Sequence, residues 1–119
     1  MGNFLMSLPI EAIARICHEA NHALCIAVGD MTQEHWHSAP EWQRQSAING
    51  ITYLAEHPDA TPETLHDNWR KDKRQEGWVY GDVKNASLRT HPCMVPYDQL
   101  PEFQRYKGKL FLAIVRSLL

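Results

Sequence analysis

The prolines of this 119-residue chain constrain its fold more than any other feature. Several stand just where a helical pattern of apolar residues begins. Proline in the first turn of a helix loses nothing, because that amide has no partner inside the helix and the fixed φ suits helix entry. Ser7 followed by Pro9 predicts a first helix capped by Ser7. Its apolar stripe is Ile10, Ile13, Ile16, Cys17, Ala20, Leu24 and Ala27, and Gly29-Asp30 ends it. Ser38-Ala39-Pro40-Glu41 reads as a capping box that opens a second helix, with Ile48, Ile51, Leu54 and Ala55 on its apolar side and His57-Pro58 as its stop. Thr61-Pro62-Glu63 repeats the pattern for a third helix carrying Leu65 and Trp69, with Gly77 at the left-handed position beyond its end. After Leu100-Pro101, helical spacing returns at Leu110, Phe111, Ile114, Val115 and Leu118, where Gly108 is expected to divide a short turn from a final helix.

Between the third and last helices lie two short aromatic and β-branched runs, Trp78-Val79-Tyr80 and Met94-Val95-Pro96-Tyr97. Pairing of the two predicts a small ribbon, with Pro96 keeping the second strand at an edge. The expected fold class is mainly α (α+β): a compact bundle of about four helices with a short two-stranded β-ribbon, in one domain over 1–119.

Composition excludes several function classes. With 44% hydrophobic and 22% charged residues, the chain is an ordinary globular domain whose core needs no metal or disulfide staple. Twelve Lys and Arg against fourteen Asp and Glu leave a net charge of −2, which argues against a surface given over to nucleic acid or anionic membrane. The Leu110–Val115 tract is too short to cross a bilayer, and Met1–Ser7 has neither the basic start nor the apolar run of a secretory signal. Cys17, Cys25 and Cys93 have no C-x-x-C spacing and read as reduced thiols in a cytoplasm. A homo-oligomer is compatible with all of this.

His18-Glu19-Ala20-Asn21-His22 matches H-E-x-x-H, in which two His one helical turn apart bind zinc and the Glu acts as general base. Against a zinc hydrolase, both His fall opposite the Ile13, Ala20, Leu24 stripe, on a face expected to be solvated, and Cys25 stands where the longer motif needs Gly. A third ligand from Glu34, His35 or His37 requires that loop to fold back. The chain has no G-x-S-x-G elbow, P-loop or G-x-G-x-x-G, and His91 with Cys93 is a weak dyad across the stiff Pro92. Neither catalytic residues nor a metal or other cofactor is expected.

The ordered set Leu65-His66-Asp67-Asn68-Trp69, Gly77-Trp78-Val79-Tyr80-Gly81, His91-Pro92-Cys93-Met94-Val95-Pro96-Tyr97 and Leu100-Pro101 resembles the Ryr domain, the repeat named after ryanodine-receptor calcium-release channels. The pattern H-x-x-W, G-W-x-Y-G and H-P-x-x-V-P-Y-x-x-L covers 62–118 as a repeat core. The preceding 1–61 look like the helical extension of stand-alone prokaryotic or phage members. The loop Asp82–Thr90 departs from the family by lacking its acidic and Lys-rich run. The resemblance implies a mostly helical, non-enzymatic binding or interaction module, with a protein partner as one expectation and sensing of a small anionic, nucleotide-derived ligand as the other.

Trp69, Trp78, Tyr80 and Tyr97 are either core or the wall of a groove, with Trp78 and Tyr80 expected on one strand face beside Trp69. In the groove reading, Lys73, Lys84, Arg89 and His91 supply positive charge for a phosphate or carboxylate, and the rings supply stacking.

Overall fold

A computed structural model describes residues 8–119. Ser7, the expected first cap, and the rest of Met1–Ser7 lie outside them. Four helices are described: α1 (Ile10–Ala27), α2 (Glu41–Glu56), α3 (Pro62–Gln75) and α4 (Glu102–Leu118). Two-residue strands β1 (Val79–Tyr80) and β2 (Thr90–His91) follow α3, and single 3-10 turns at Trp36–Ser38 and Tyr97–Gln99 lead into α2 and α4. No described helix is long and apolar enough to cross a membrane.

Proline opens every helix, although not always as the sequence suggests. Pro9, Pro40 and Pro101 are themselves the N-caps in extended backbone, and only Pro62 sits inside the first turn. The capping box expected at Ser38 does not form, because Ser38 belongs to the preceding 3-10 turn, and Glu41 instead pairs with Arg44 at 2.8 Å. Thr61 does cap α3: its Oγ1 accepts from Thr64 N at 3.2 Å, and Thr64 Oγ1 accepts from Thr61 N at 2.9 Å. Gly29 (φ 89°) and Gly77 (φ 91°) take the left-handed position after α1 and α3. There the amides of Asp30 and Trp78 close back on the carbonyls of Cys25 and Lys73.

The dry core joins α1, α2 and α4 through Ile13, Ala14, Cys17, Ile51, Leu54, Leu112 and Val115, with Trp36 and Ala60 closing its ends. On α1 the buried face is Ile13, Ala14, Cys17, His18 and Cys25, while Ile10 and Ile16 are exposed. The inward face is thus turned by roughly one residue's step from the expected stripe. That turn brings His18 inside. Its Nε2 donates to the Glu34 carbonyl at 2.6 Å, and its ring meets Trp36 edge-on at 5.7 Å.

The ribbon exists, but its second strand is not the Met94–Tyr97 run. β1 pairs in parallel with β2, Val79 opposite Thr90 and Tyr80 opposite His91. The reason is close approach: a Cβ on Gly81 would stand 2.6 Å from Thr90 Cβ, so only glycine admits the second strand there. Pro92 and Pro96 then deny ladder donors to the segment beyond. Parallel strands ordinarily need a helical crossover. Here a loop suffices because Asn85 bridges to Thr90 in antiparallel fashion and folds the excursion on itself. The expected break at Gly108 is absent, for α4 runs through it, with Phe111, Leu112 and Val115 packing the following turns into the core.

Candidate functional site

Where α1, α2 and α4 close on aliphatic side chains, α3 and β2 stand off from them across an open cleft of about 470 Å³. This is within the range of small-molecule sites. Trp42 from the first turn of α2, Trp69 from α3, His91 from β2 and Phe111 from α4 line it, with Lys84 and Lys107 at its charged part and Asn68, Gln43 and Gln104 as amide donors and acceptors.

The rings form a continuous train. Trp42 and Trp78 have centroids 5.0 Å apart, Trp78 and His91 6.2 Å, His91 and Trp69 5.1 Å edge-on, and His66 stacks on Trp69 at 5.6 Å. Tyr97 closes it at 6.1 Å from His66. Trp42 carries two ammonium groups over its ring, Lys73 Nζ at 5.1 Å and Lys84 Nζ at 5.0 Å from the centroid.

Of the residues singled out in the sequence, Trp69, Lys84, His91 and Tyr97 line the cleft. Trp78 is buried behind it, and Lys73, only 2% exposed, lies with its ammonium over both Trp42 and Trp78 and 3.4 Å from Glu76. Tyr80 does not share the face of Trp78: it is 54% exposed and donates to Asp82 at 2.7 Å. Arg89, at φ 54°, turns away to donate to the Glu76 carbonyl. Trp42, Lys107, His66 and Asn68 line the cleft as well, beyond the set that the sequence singles out. Trp42 carried a signal, a large aromatic in an otherwise polar first turn, whereas nothing in the local pattern marks Lys107.

The electrostatics follow from this packing. Burial, reinforced by Lys84, Lys73 and Lys107, pushes the His91 imidazole down to about 4, so it is neutral, and its Nδ1 accepts from Cys93 N at 3.0 Å. Burial also holds His66 below the usual imidazole range while its Nε2 donates to the Val95 carbonyl at 2.7 Å. Lys84 as a whole residue is exposed. Even so, burial of its ammonium, and then the nearby Lys107 charge, lower its pKa, while the Asp30 carboxylate, close to both lysines, acts in the other direction. Asp30 and Asp72 also reach the lining; Thr32 satisfies Asp30 through its amide and hydroxyl. The thiols are subdued: burial raises Cys17 to about 11 and moves Cys25 and Cys93 upward too.

The H-E-x-x-H segment does not present its two imidazoles together. His18 is spent on Glu34, and Glu19 binds the returning loop, accepting from His35 Nδ1 at 2.8 Å and from Trp36 N at 2.7 Å. These bonds, the His35 one foremost, hold the Glu19 carboxyl below its ordinary range.

A family model described as the RyR domain matches residues 45–119. The cleft straddles that boundary: Trp69, Lys84, His91, Tyr97 and Lys107 lie within the match, whereas His18, Asp30 and Trp42 precede it. Because the match takes in well over half of the chain and carries the Trp-rich segment that builds the cleft, this chain belongs to the RyR domain family.

Proposed function

We propose that the chain is a non-enzymatic binding module, working in a reducing, cytoplasm-like compartment, whose cleft takes a small anionic ligand with a flat ring, such as a nucleotide derivative. The observation that carries this reading is the pairing of indole walls, Trp42 and Trp69, with two lysines, Lys84 and Lys107, around one open volume. A stacked ring and a doubly contacted phosphate are the groups such a set binds best. A non-catalytic role is favoured because all three cleft imidazoles are engaged with the backbone, His18 with Glu34, His66 with Val95 and His91 with Cys93. The free thiols support the choice of compartment. A protein partner is the second reading, favoured by the exposed Val79, Tyr80, Val83 and Leu88 on β1 and the loop after it.

Thermal melting of chelator-treated protein with AMP, cyclic nucleotides and ADP-ribose separates the two. A ligand at 100 times its Kd adds about 2.7 kcal/mol, a rise of several degrees for a domain of this size. The expected result is such a rise with at least one compound, abolished by Lys107→Ala and by Trp69→Ala and retained by Arg89→Ala. No rise across the panel overturns the ligand reading and leaves the protein partner.

A further inference from the structure

We propose that Glu19, His22 and His35 form a binding site for one divalent transition ion of the zinc, nickel or copper class. Their ligand atoms lie within 4.8 Å of one another, outside the cleft and independent of its ligand.

The site arises because the fold rearranges the H-E-x-x-H segment. Residues three apart on a helix share a face, so α1 presents Glu19 and His22 side by side. His18, one residue earlier, is committed to the core and to Glu34. The loop after α1 then returns over this face and delivers His35, whose ring centroid is 4.2 Å from that of His22 and whose Nδ1 lies 2.8 Å from Glu19 Oε1. Glu19 is thereby a ligand and not a base.

Two features distinguish the trio from a chance surface cluster. The second carboxylate oxygen of Glu19 accepts from the Trp36 amide at 2.7 Å, which orients the first oxygen toward the imidazoles. The loop that carries His35 is anchored on both sides, by His18 to Glu34 and by Trp36 in the core. The trio is thus assembled before any ion arrives. Loading requires that His35 carry its proton on Nε2 and not on Nδ1, and that Nδ1 and Glu19 Oε1, now 2.8 Å apart, open by roughly half an ångström to become two ligands of one ion.

The donor chemistry selects the ion. Two imidazole nitrogens and one carboxylate oxygen suit zinc, nickel and copper, whereas calcium and magnesium demand more oxygens. Three protein ligands leave a fourth position to water. His37 stacks on His35 at 6.4 Å between centroids but is not one of the three, which makes it the natural control.

The test is calorimetric titration of the metal-free, reduced chain with zinc chloride, and spectral titration with cobalt chloride. One ion per chain is expected, with weak visible cobalt bands and no near-ultraviolet thiolate charge transfer. His22→Gln and the exposed His35→Gln, each checked for unchanged far-ultraviolet circular dichroism, should weaken binding by at least about tenfold. His37→Gln should leave it within about threefold. Binding that survives both His22→Gln and His35→Gln, a thiolate band, dependence on His37 instead, or no stoichiometric zinc uptake each overturns the site.

Discussion

The two sides of α2 differ in kind. One side meets α1 and α4 with Ile51 and Leu54 and is closed by aliphatic carbon, while its first turn offers Trp42 to an open cleft between α3, β2 and α4. The closed side is held by non-directional burial and tolerates little change in volume. The cleft side is held by rings and by amphipathic side chains such as Lys73 and Lys84, whose stems pack while their charges face π-systems. The difference teaches that an aromatic-rich segment of a small domain can remain structural in its deeper members, Trp78 and Lys73, while leaving Trp42 and Trp69 in a recess that solvent enters.

The strongest way to break this contrast is truncation in each region. Ile51→Ala, at a fully buried position, should cost about 2–5 kcal/mol and lower the melting midpoint by roughly 10 °C or more. Lys107→Ala on the cleft wall should stay within about 0.5 kcal/mol. Comparable losses from both would mean that the cleft is closed in solution.

Next in size is an acid sensitivity to which His91, on the cleft side, is the largest contributor. His91 is neutral in the fold, with its pKa pushed down to about 4 from an ordinary 6.5. As pH falls below about 6.5 the unfolded chain takes a proton that the folded chain refuses, so stability is intact above that pH and declines toward about 4, where the loss is complete. Solvent access at a half-buried imidazole limits the loss to the order of 1–3 kcal/mol. Chemical denaturation from pH 7 to 4 should show this slope in the native chain, and His91→Gln should flatten it. An unchanged slope in the variant would assign the acid sensitivity elsewhere.

The smallest effect sharpens the comparison from within α4. Gly108 is helical, and a methyl group placed on it would meet nothing within 4 Å, so Gly108→Ala should raise stability by about 0.5–1 kcal/mol in a thermal melt. A loss would show that the recess has no room for one carbon.

The helices were legible because their signals are local: a proline, a periodic stripe and a terminal glycine each act within a turn or two. Less legible were the outcomes decided at a distance. The inward turn of α1 depends on Trp36 and Glu34, which take His18 from a loop beyond the helix. The second strand depends on Gly81 clearing space for Thr90, a contact that no alternation pattern in either segment reveals. Half of the anticipated site residues line the cleft: Trp69, His91 and Tyr97 because they belong to motif segments that face it, and Lys84 because the loop between those segments carries it there. Lys107 is not legible in the sequence because a lysine on an amphipathic helix ordinarily faces water. Strand alternation and charge point Tyr80 and Arg89 to the site, but the two-residue strand is too short to enforce alternation, and Arg89 is taken up by the Glu76 carbonyl.

The subdued thiols have a practical corollary. With Cys17, Cys25 and Cys93 all held above the ordinary cysteine range, little thiolate is present near neutral pH, and alkylating reagents meet a chain that is almost silent. A maleimide dye would therefore attach chiefly where a new thiol is supplied on the outer surface, as by Leu88→Cys at a position 71% exposed. Without removal of any native cysteine, the loop beside the cleft becomes an addressable point for fluorescence distance measurements.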